Sequence, residues 1–453
     1  GGDRMGGSAS GWWIRATAAC VLAVATASAV AAAPPVAPGW RAAAPLVARL
    51  PNGLQVIVDE QPHTDLAALY AWVRVGSKDE DDESSGAAHF LEHMLFKGTA
   101  RRAPGEAWRE VDALGGSMNA STSVDWTAYY IVARAADLPR MVDLQADALF
   151  HSTLDPAEVE RERRVVIEEI NRRDNFPATR AFEALRATAY TVHPYRRSVL
   201  GTRAGIERMS HDVLVRFYRT HYVPEQMTVV VVGGVRAREA LALVRRAYGS
   251  GGRAAPPRPP RPPEPPLEGI RRVVLAQDVR AAYLAMGFPA LAAADPDFPA
   301  ASVLATVLGA GLGSRLRQAL VDRARLAQSV SAFLPAWEDP ALFVVSAVTA
   351  PDQVERAEAA IVAELDAVRE RGVSEADLHR ARSLVEGEHL YATHTVRGRA
   401  FELGFAASVT GLEVGLSYLE RVRRVTADDV QRVARRILDT RRYAVAVIRP
   451  ASP

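Results

Sequence analysis

The chain has 453 residues, of which 49% are apolar and 24% charged; at roughly 150 residues per domain this describes two or three globular domains and excludes disordered, collagenous and multi-span membrane classes. Its 55 basic and 53 acidic side chains leave a formal charge of +2, too weak a field to hold nucleic acid. A single cysteine, Cys20, excludes a disulfide framework and a thiolate metal site, so any metal must sit on histidines and carboxylates.

Residues 1–45 have a composition of their own. Arg4 and Arg15 flank Trp12 and Trp13, the stretch Ala16 to Val30 is apolar, and Ala31-Ala32-Ala33 precedes Pro34-Pro35. That order predicts a secretory signal peptide, with an uncleaved anchor as the alternative, since the apolar run is short for a membrane span of about 20 residues. Cleavage after Ala33 would leave no cysteine, which suits an oxidising compartment such as a bacterial periplasm. No later segment is long and apolar enough to span a bilayer, so no membrane contact is expected after cleavage.

In residues 46–248, strands are expected at 54–58, 66–75, 127–133 and 227–232, where β-branched or apolar runs are bounded by Gly, Asp and Pro. Helices are expected at 86–97, 137–151, 155–173, 178–190 and 210–221. Asp155-Pro156 opens one of them, with Asp as cap and Pro in the first turn. Residues 249–269 begin Gly-Ser-Gly-Gly-Arg and then alternate Pro pairs with Arg and Glu, a composition that reads as an extended interdomain linker. Beyond it, residues 270–453 predict strands at 271–276, 280–287, 328–334 and 342–349, and helices near 297–308, 352–371, 375–395 and 426–438. Throughout, arginine is the usual base: Lys78 and Lys97 are the only lysines, a bias typical of GC-rich coding sequence.

The two blocks resemble each other. Ser210-His211-Asp212-Val213 before Met227-Thr228-Val229 corresponds to Ala427-Asp428-Asp429-Val430 before Ala444-Val445-Ala446, an offset of 217, and Tyr70-Ala71-Trp72-Val73 corresponds to Tyr283-Leu284-Ala285-Met286, an offset of 213. A duplicated α+β unit follows: two homologous domains, each a mainly antiparallel sheet covered by helices.

Chemistry concentrates at His89-Phe90-Leu91-Glu92-His93. On a helix, positions i, i+3 and i+4 share a face, so His89, Glu92 and His93 project together. Two imidazoles one turn apart suit zinc, and Glu92 is placed to act as a general base on water. A catalytic zinc needs a third protein ligand. The acidic helix 155–173 is the best source: Glu162 and Glu169 are seven apart and face one way, Val165, Val166 and Ile170 supply its buried stripe, and Glu158, Glu160 and Glu168 fall on a solvated face. Periodicity does not choose between the carboxylates. His63, His151, His193, His211, His221, His389 and His394 are expected as surface or satisfied core groups.

His89-Phe90-Leu91-Glu92-His93-Met94, followed 76 positions beyond His93 by Glu169 within Val-Val-Ile-Glu-Glu-Ile, resembles the pitrilysin/insulin-degrading-enzyme metallopeptidases, the inverted zincins, and most closely their bacterial processing-peptidase-like branch. The resemblance implies His89, His93 and Glu169 as zinc ligands, Glu92 as catalytic base and Glu162 as the family's secondary acidic residue. It also implies two domains clasping a peptide-binding cavity. The segment Gly115-Gly116-Ser117-Met118-Asn119-Ala120-Ser121-Thr122 resembles the edge strand along which family substrates add by main-chain hydrogen bonds, with Asn119 and Ala120 as substrate-binding positions. Unaided, that stretch reads only as a glycine turn and a polar strand.

One departure stands out. The family's Arg and Tyr, seven apart, position the substrate carbonyl; the matching segment here puts Val321 and Gln328 in their places, and neither offers the same donors. The expectation is therefore a zinc metalloendopeptidase acting on peptides or unstructured segments, as the zinc-bearing subunit of a two-subunit peptidase whose homologous partner brings the Arg/Tyr pair, or as a homodimer. The alternative is a non-catalytic peptide-binding or assembly subunit of the same family. At the repeat offset Ser302, Ala305 and Thr306 replace His89, Glu92 and His93, so the second half is expected to lack metal.

Overall fold

The computed structural model describes residues 44–249, 255 and 261–451. The expected signal segment lies almost wholly outside them. The first half runs β1 (Leu46–Arg49), β2 (Gln55–Glu60), β3 (Leu66–Val73), α1 (Ala87–Met94), α2 (Glu106–Ala113), β4 (Ser117–Thr122), β5 (Thr127–Arg134), α3 (Leu138–His151), α4 (Pro156–Asp174), α5 (Pro177–Ala189), α6 (Arg203–Arg208), α7 (His211–His221), β6 (Met227–Gly233) and α8 (Ala237–Tyr248). The second half runs β7 (Arg271–Gln277), β8 (Ala282–Pro289), α9 (Phe298–Gly309), a π turn at Arg317–Arg323, β9 (Ser329–Phe333), β10 (Leu342–Thr349), α10 (Val354–Arg371), α11 (Glu375–Thr393), α12 (Val396–Phe405), a second π turn, α13 (Leu412–Leu416), α14 (Tyr418–Arg424), α15 (Ala427–Ile437) and β11 (Ala444–Pro450). Among the described residues no helix is long and apolar enough to cross a membrane.

The strands form two mixed, mainly antiparallel sheets. Their orders are β1-β2-β6-β3-β5-β4 and β7-β11-β8-β10-β9. The parallel pairs are β2 with β6 and β7 with β11. Apart from β1 the two orders superpose strand for strand, which is the duplicated α+β unit expected from the sequence.

Each sheet is covered on both faces, so its central strands are apolar at nearly every position rather than at alternate ones. On one face of the first sheet, Val56, Val58, Leu69, Ala71, Val73, Val229 and Val231 pack with Phe90, Leu91 and Met94 of α1 and with residues of α3, α4, α7 and α8. On the other face Ile57, Ala68, Tyr70, Trp72, Val230 and Val232 meet Val396, Ala400 and Leu403 of α12, which belongs to the second half. The second sheet reciprocates. Leu284, Met286, Phe343, Val345, Val445 and Val447 pack under α9, α10, α11 and α15, while Ala285, Val344, Ala444, Ala446 and Ile448 meet Ala181, Leu185 and Ala189 of α5, from the first half. Helices α5 and α12 follow α4 and α11 at equivalent places in the two copies, so the copies exchange equivalent helices.

The proline-rich strap is docked where it is described. Arg261 pairs with Asp79 and Asp339, and Glu264 accepts hydrogen bonds from the Thr191 amide and hydroxyl and from the Val192 and His193 amides at 2.7–2.9 Å. Two expectations for α4 are corrected. Val165 is 40% exposed, and the buried line is Val159, Glu162, Val166 and Ile170, because a residue one step off a 3.6-residue repeat turns about 100° away from it. Glu158, expected in solvent, is buried beside Arg161.

Candidate metal centre

Helix α1 begins without the usual side-chain cap. Its N-cap is Gly86 with φ 95°, a left-handed conformation that favours glycine, and a Cβ there would lie 2.7 Å from Ile206 and 2.9 Å from the Leu200 carbonyl. The carboxylate of Glu80 caps from outside the helix. It accepts the Gly86 and Ala88 N–H groups at 2.8 and 3.0 Å, two of the donors that a helix N-terminus leaves unpaired. Burial pushes the Glu80 carboxyl well above the carboxylate range, while those two amides pull it down. Ala87, Phe90, Leu91 and Met94 anchor α1 in the core, leaving His89, Glu92 and His93 on the face turned toward α4.

There the side chains converge. The Nε2 atoms of His89 and His93 lie 3.4 and 3.5 Å from Glu169 Oε2, and the three ligand atoms all fall within 4.8 Å of one another. Tetrahedral zinc with bonds near 2.0–2.1 Å places its ligand atoms about 3.4 Å apart, so this donor set fits the ion in chemistry, and its two imidazole–carboxylate distances match that spacing. Among the described residues this is the one cluster of its kind. Glu162, two turns before Glu169 on α4, takes the other side of His93: its Oε2 is 3.1 Å from Nδ1, and its Oε1 is 2.6 Å from Lys97 Nζ. A carboxylate can only accept, so His93 Nδ1 carries a hydrogen, and a metal bound at the centre would take the lone pair of Nε2. His89 Nδ1 is buried with no hydrogen-bond partner among the described residues.

The electrostatics separate these groups. Burial, helped by its neighbour His93, pulls His89 down to about 3. Burial also works against a charge on His93, but Glu162, Glu169 and Glu92 outweigh it and push His93 up to about 9. The same contacts hold Glu162 and Glu169 below the usual carboxylate range in spite of their burial. Burial raises Glu92 to about 7, opposed by the Thr122 hydroxyl, which donates to Glu92 Oε2 at 2.6 Å. A carboxylate with that value changes protonation near neutral pH, as a general base should.

Thr122 ends β4, an edge strand of its sheet, so this strand runs up to the centre. Asn119 and Ala120 lie in its middle, opposite Tyr130 and Tyr129 of β5, and the Asn119 side-chain oxygen accepts the Ala120 N–H at 2.9 Å. Val321 falls in the π turn of the second half, and Gln328, exposed, leads into β9 with its N–H on the Val348 carbonyl. Glu80, Thr122 and Lys97 were not singled out from sequence. The first two act across loop and sheet pairings that leave no periodic trace; for Lys97 the scarcity of lysine was a signal.

Two family profiles match the chain: "Insulinase (Peptidase family M16)" over residues 55–203 and "Peptidase M16 inactive domain" over residues 208–385. An uncharacterized zinc protease of Streptomyces coelicolor is 32% identical over 88% of this chain and 88% of its own length. One from Mycobacterium tuberculosis is 34% identical over 90% and 94%. A probable mitochondrial-processing peptidase subunit beta of Arabidopsis thaliana is 29% identical over 89% and 78%. The crystal structure of a protease from Helicobacter pylori superposes with a TM-score of 0.85 at 28% identity, covering 90% of this chain and 99% of that one. With zinc proteases of this identity matching along nearly its whole length, and with two imidazoles and a carboxylate set at zinc spacing, the chain belongs to the M16 (insulinase) family and is a zinc metallopeptidase.

Proposed function

We propose that the protein is an endopeptidase for peptides and unstructured protein segments, and that it is the zinc-bearing subunit of a two-subunit enzyme. The observation that carries the first part is the convergence of His89, His93 and Glu169 at zinc spacing, with Glu92 beside them and held by Thr122. Zinc bound there would act as the Lewis acid that polarises a peptide carbonyl and acidifies water. Glu92 takes the proton from the attacking water and returns it to the leaving amine; the Thr122 bond occupies one of its oxygens and leaves the other for transfer. A substrate laid as an added strand on β4 would contact Asn119 and Ala120, the backbone of the peptide exchanging with the Asn119 side chain for the Ala120 N–H. Recognition by main chain favours extended segments over folded proteins.

The second part rests on the second half. Val321 and Gln328 stand where an Arg/Tyr pair would be, and Arg323 and Arg325 are exposed. A homologous partner subunit would supply the missing donors, and the relative named as a processing-peptidase subunit beta supports that reading. With residues 1–45 as an export signal, the enzyme would work in a bacterial periplasm.

Zinc-loaded protein, assayed alone on an unstructured peptide, should hydrolyse it weakly. Glu92→Gln should keep stoichiometric zinc and lose about 10²–10⁴-fold in rate, the usual contribution of a general base. Unchanged hydrolysis would remove the base assignment, and full activity from a lone monomer would remove the partner.

A further inference from the structure

Lysine is scarce in this chain. Arginine fills 53 of the 55 basic positions, and only Lys78 and Lys97 differ. Both lysines pair with carboxylates that are almost fully buried. Lys78 Nζ is 2.6 Å from Asp125, whose side chain is 1% exposed, and Lys97 Nζ is 2.6 Å from Glu162, whose side chain is 7% exposed. An ammonium is a compact charge that can meet a single carboxylate oxygen in a narrow space, whereas a guanidinium is a planar fork suited to meeting both.

At Glu162 that difference matters, because the two oxygens have separate tasks. Oε1 faces Lys97 while Oε2 faces His93 Nδ1. Lys97 is four residues past His93, just beyond the end of α1, and its own N–H is fixed on the Met94 carbonyl at 2.9 Å. The chain Lys97, Glu162, His93 therefore closes a loop between the end of α1 and the middle of α4.

We infer that Lys97 is a positioning residue for the metal centre: it locks the Glu162 carboxylate in the orientation that fixes the His93 ring and aims its Nε2 at the ion. This rests on the zinc site described above. Without Lys97, Glu162 keeps its place on α4 but is free to turn about its last bond, and His93 loses a fixed partner. Loss of such an outer partner typically weakens metal binding about 10–100-fold.

The test is a double-mutant cycle read by zinc binding to the metal-free full-length chain, using Zn²⁺ alone against a competing chelator. Lys97→Met should raise the zinc Kd at least about tenfold, and Lys97→Arg should recover only part of the loss. Glu162→Gln should weaken zinc binding comparably. Adding Lys97→Met to Glu162→Gln should then cost little more, since Lys97 acts only through Glu162. That pair also leaves no unmatched charge, so the comparison survives if Lys97→Met alone fails to fold. An unchanged Kd in Lys97→Met, or the same tenfold loss on the Glu162→Gln background, overturns the proposal. Failure of the wild-type chain to bind one zinc would instead sink the metal site itself.

Discussion

At the scale of single residues, the centre works by giving like groups unlike environments. Glu92 and Glu169 are both partly or fully buried carboxyls on neighbouring helices, and burial is the largest influence on each, yet at Glu169 the contacts with His93, His89 and Arg172 together outweigh it, so Glu92 titrates near neutrality while Glu169 stays ionised. Thr122 is the adjusting contact. Its hydroxyl donates to the charged form of Glu92 and so lowers that group against the upward push of burial. Removing the donor must raise Glu92 further, and a base that protonates at higher pH is lost sooner as pH falls. In Thr122→Val the acidic limb of the kcat/KM profile should therefore move to higher pH, by about one unit if the bond is worth ~1.4 kcal/mol, with zinc content unchanged. A limb that stays put would show that Thr122 does not tune the base. The two imidazoles and the candidate base were legible because His89, Glu92 and His93 sit at helical spacing. Periodicity left the choice of Glu169 over Glu162 open, and only the family resemblance made it, since both lie on one face of α4 and the crossing of α4 with α1 sets which of them meets both imidazoles.

At the scale of elements, the sequence shows most clearly what obeys a period and is bounded by strong signals. Helix α4 starts at Asp155, whose side chain accepts the Ala157 and Glu158 amides, and β8 and β10 lie within two residues of expectation. Two of the elements left out of the reading lack such a signal. Helix α12 carries Gly398 and Gly404 within ten residues, which reads as a loop, and α2 presents only one buried residue, Val111. Tertiary packing overrides propensity in α12, because Gly404 lets the helix lie directly on Trp72. A Cβ at Gly404 would come within 1.9 Å of Trp72 Nε1, and Trp72 is fully buried among Tyr70, Trp126 and Phe401. Gly404→Ala is a better helix former locally, so propensity alone predicts stabilisation. The contact predicts the opposite: overpacking should destabilise by ~1–3 kcal/mol, read as a lowered thermal midpoint with unchanged helix content by circular dichroism. The positions of α9 that correspond to the first half's metal motif are engaged locally. Ser302 and Thr306 turn their hydroxyls back onto the Phe298 and Ser302 carbonyls of their own helix at 3.0 Å, satisfying themselves within the turn.

At the scale of the whole molecule, the two copies are joined twice over: apolar helices are exchanged between the sheets, and a polar network is closed by the strap. In that network Lys78 bridges Asp125 of the first half and Glu338 of the second. The Tyr195 hydroxyl donates to Asp125 and accepts the Asp339 N–H, and the Trp337 ring packs against the tyrosine ring at a tilt, with centroids 4.6 Å apart. Asp339 is the member most sensitive to acid. Its bond to His193 holds it well below the usual carboxylate range, against the effect of burial and with help from Arg261. A carboxylate depressed in the folded state adds stability above its unfolded value, near 3.9, and that stability drains away as pH falls toward the folded value. The wild-type thermal midpoint should thus drop from about pH 5 downward, because over that range the unfolded chain takes up a proton at Asp339 while the folded chain does not. Asp339→Asn should start lower at pH 7, because His193 and Arg261 lose a charged partner, and should lose less on acidification. Every other depressed carboxylate is common to both proteins, so calorimetry across that range, taken as the difference between them, isolates this one contact. Zinc binding should be equal in the two, since Asp339 touches no residue of the metal centre. Parallel pH curves would place the acid-sensitive join elsewhere, with the exchanged helices α5 and α12 then holding the halves together by burial alone.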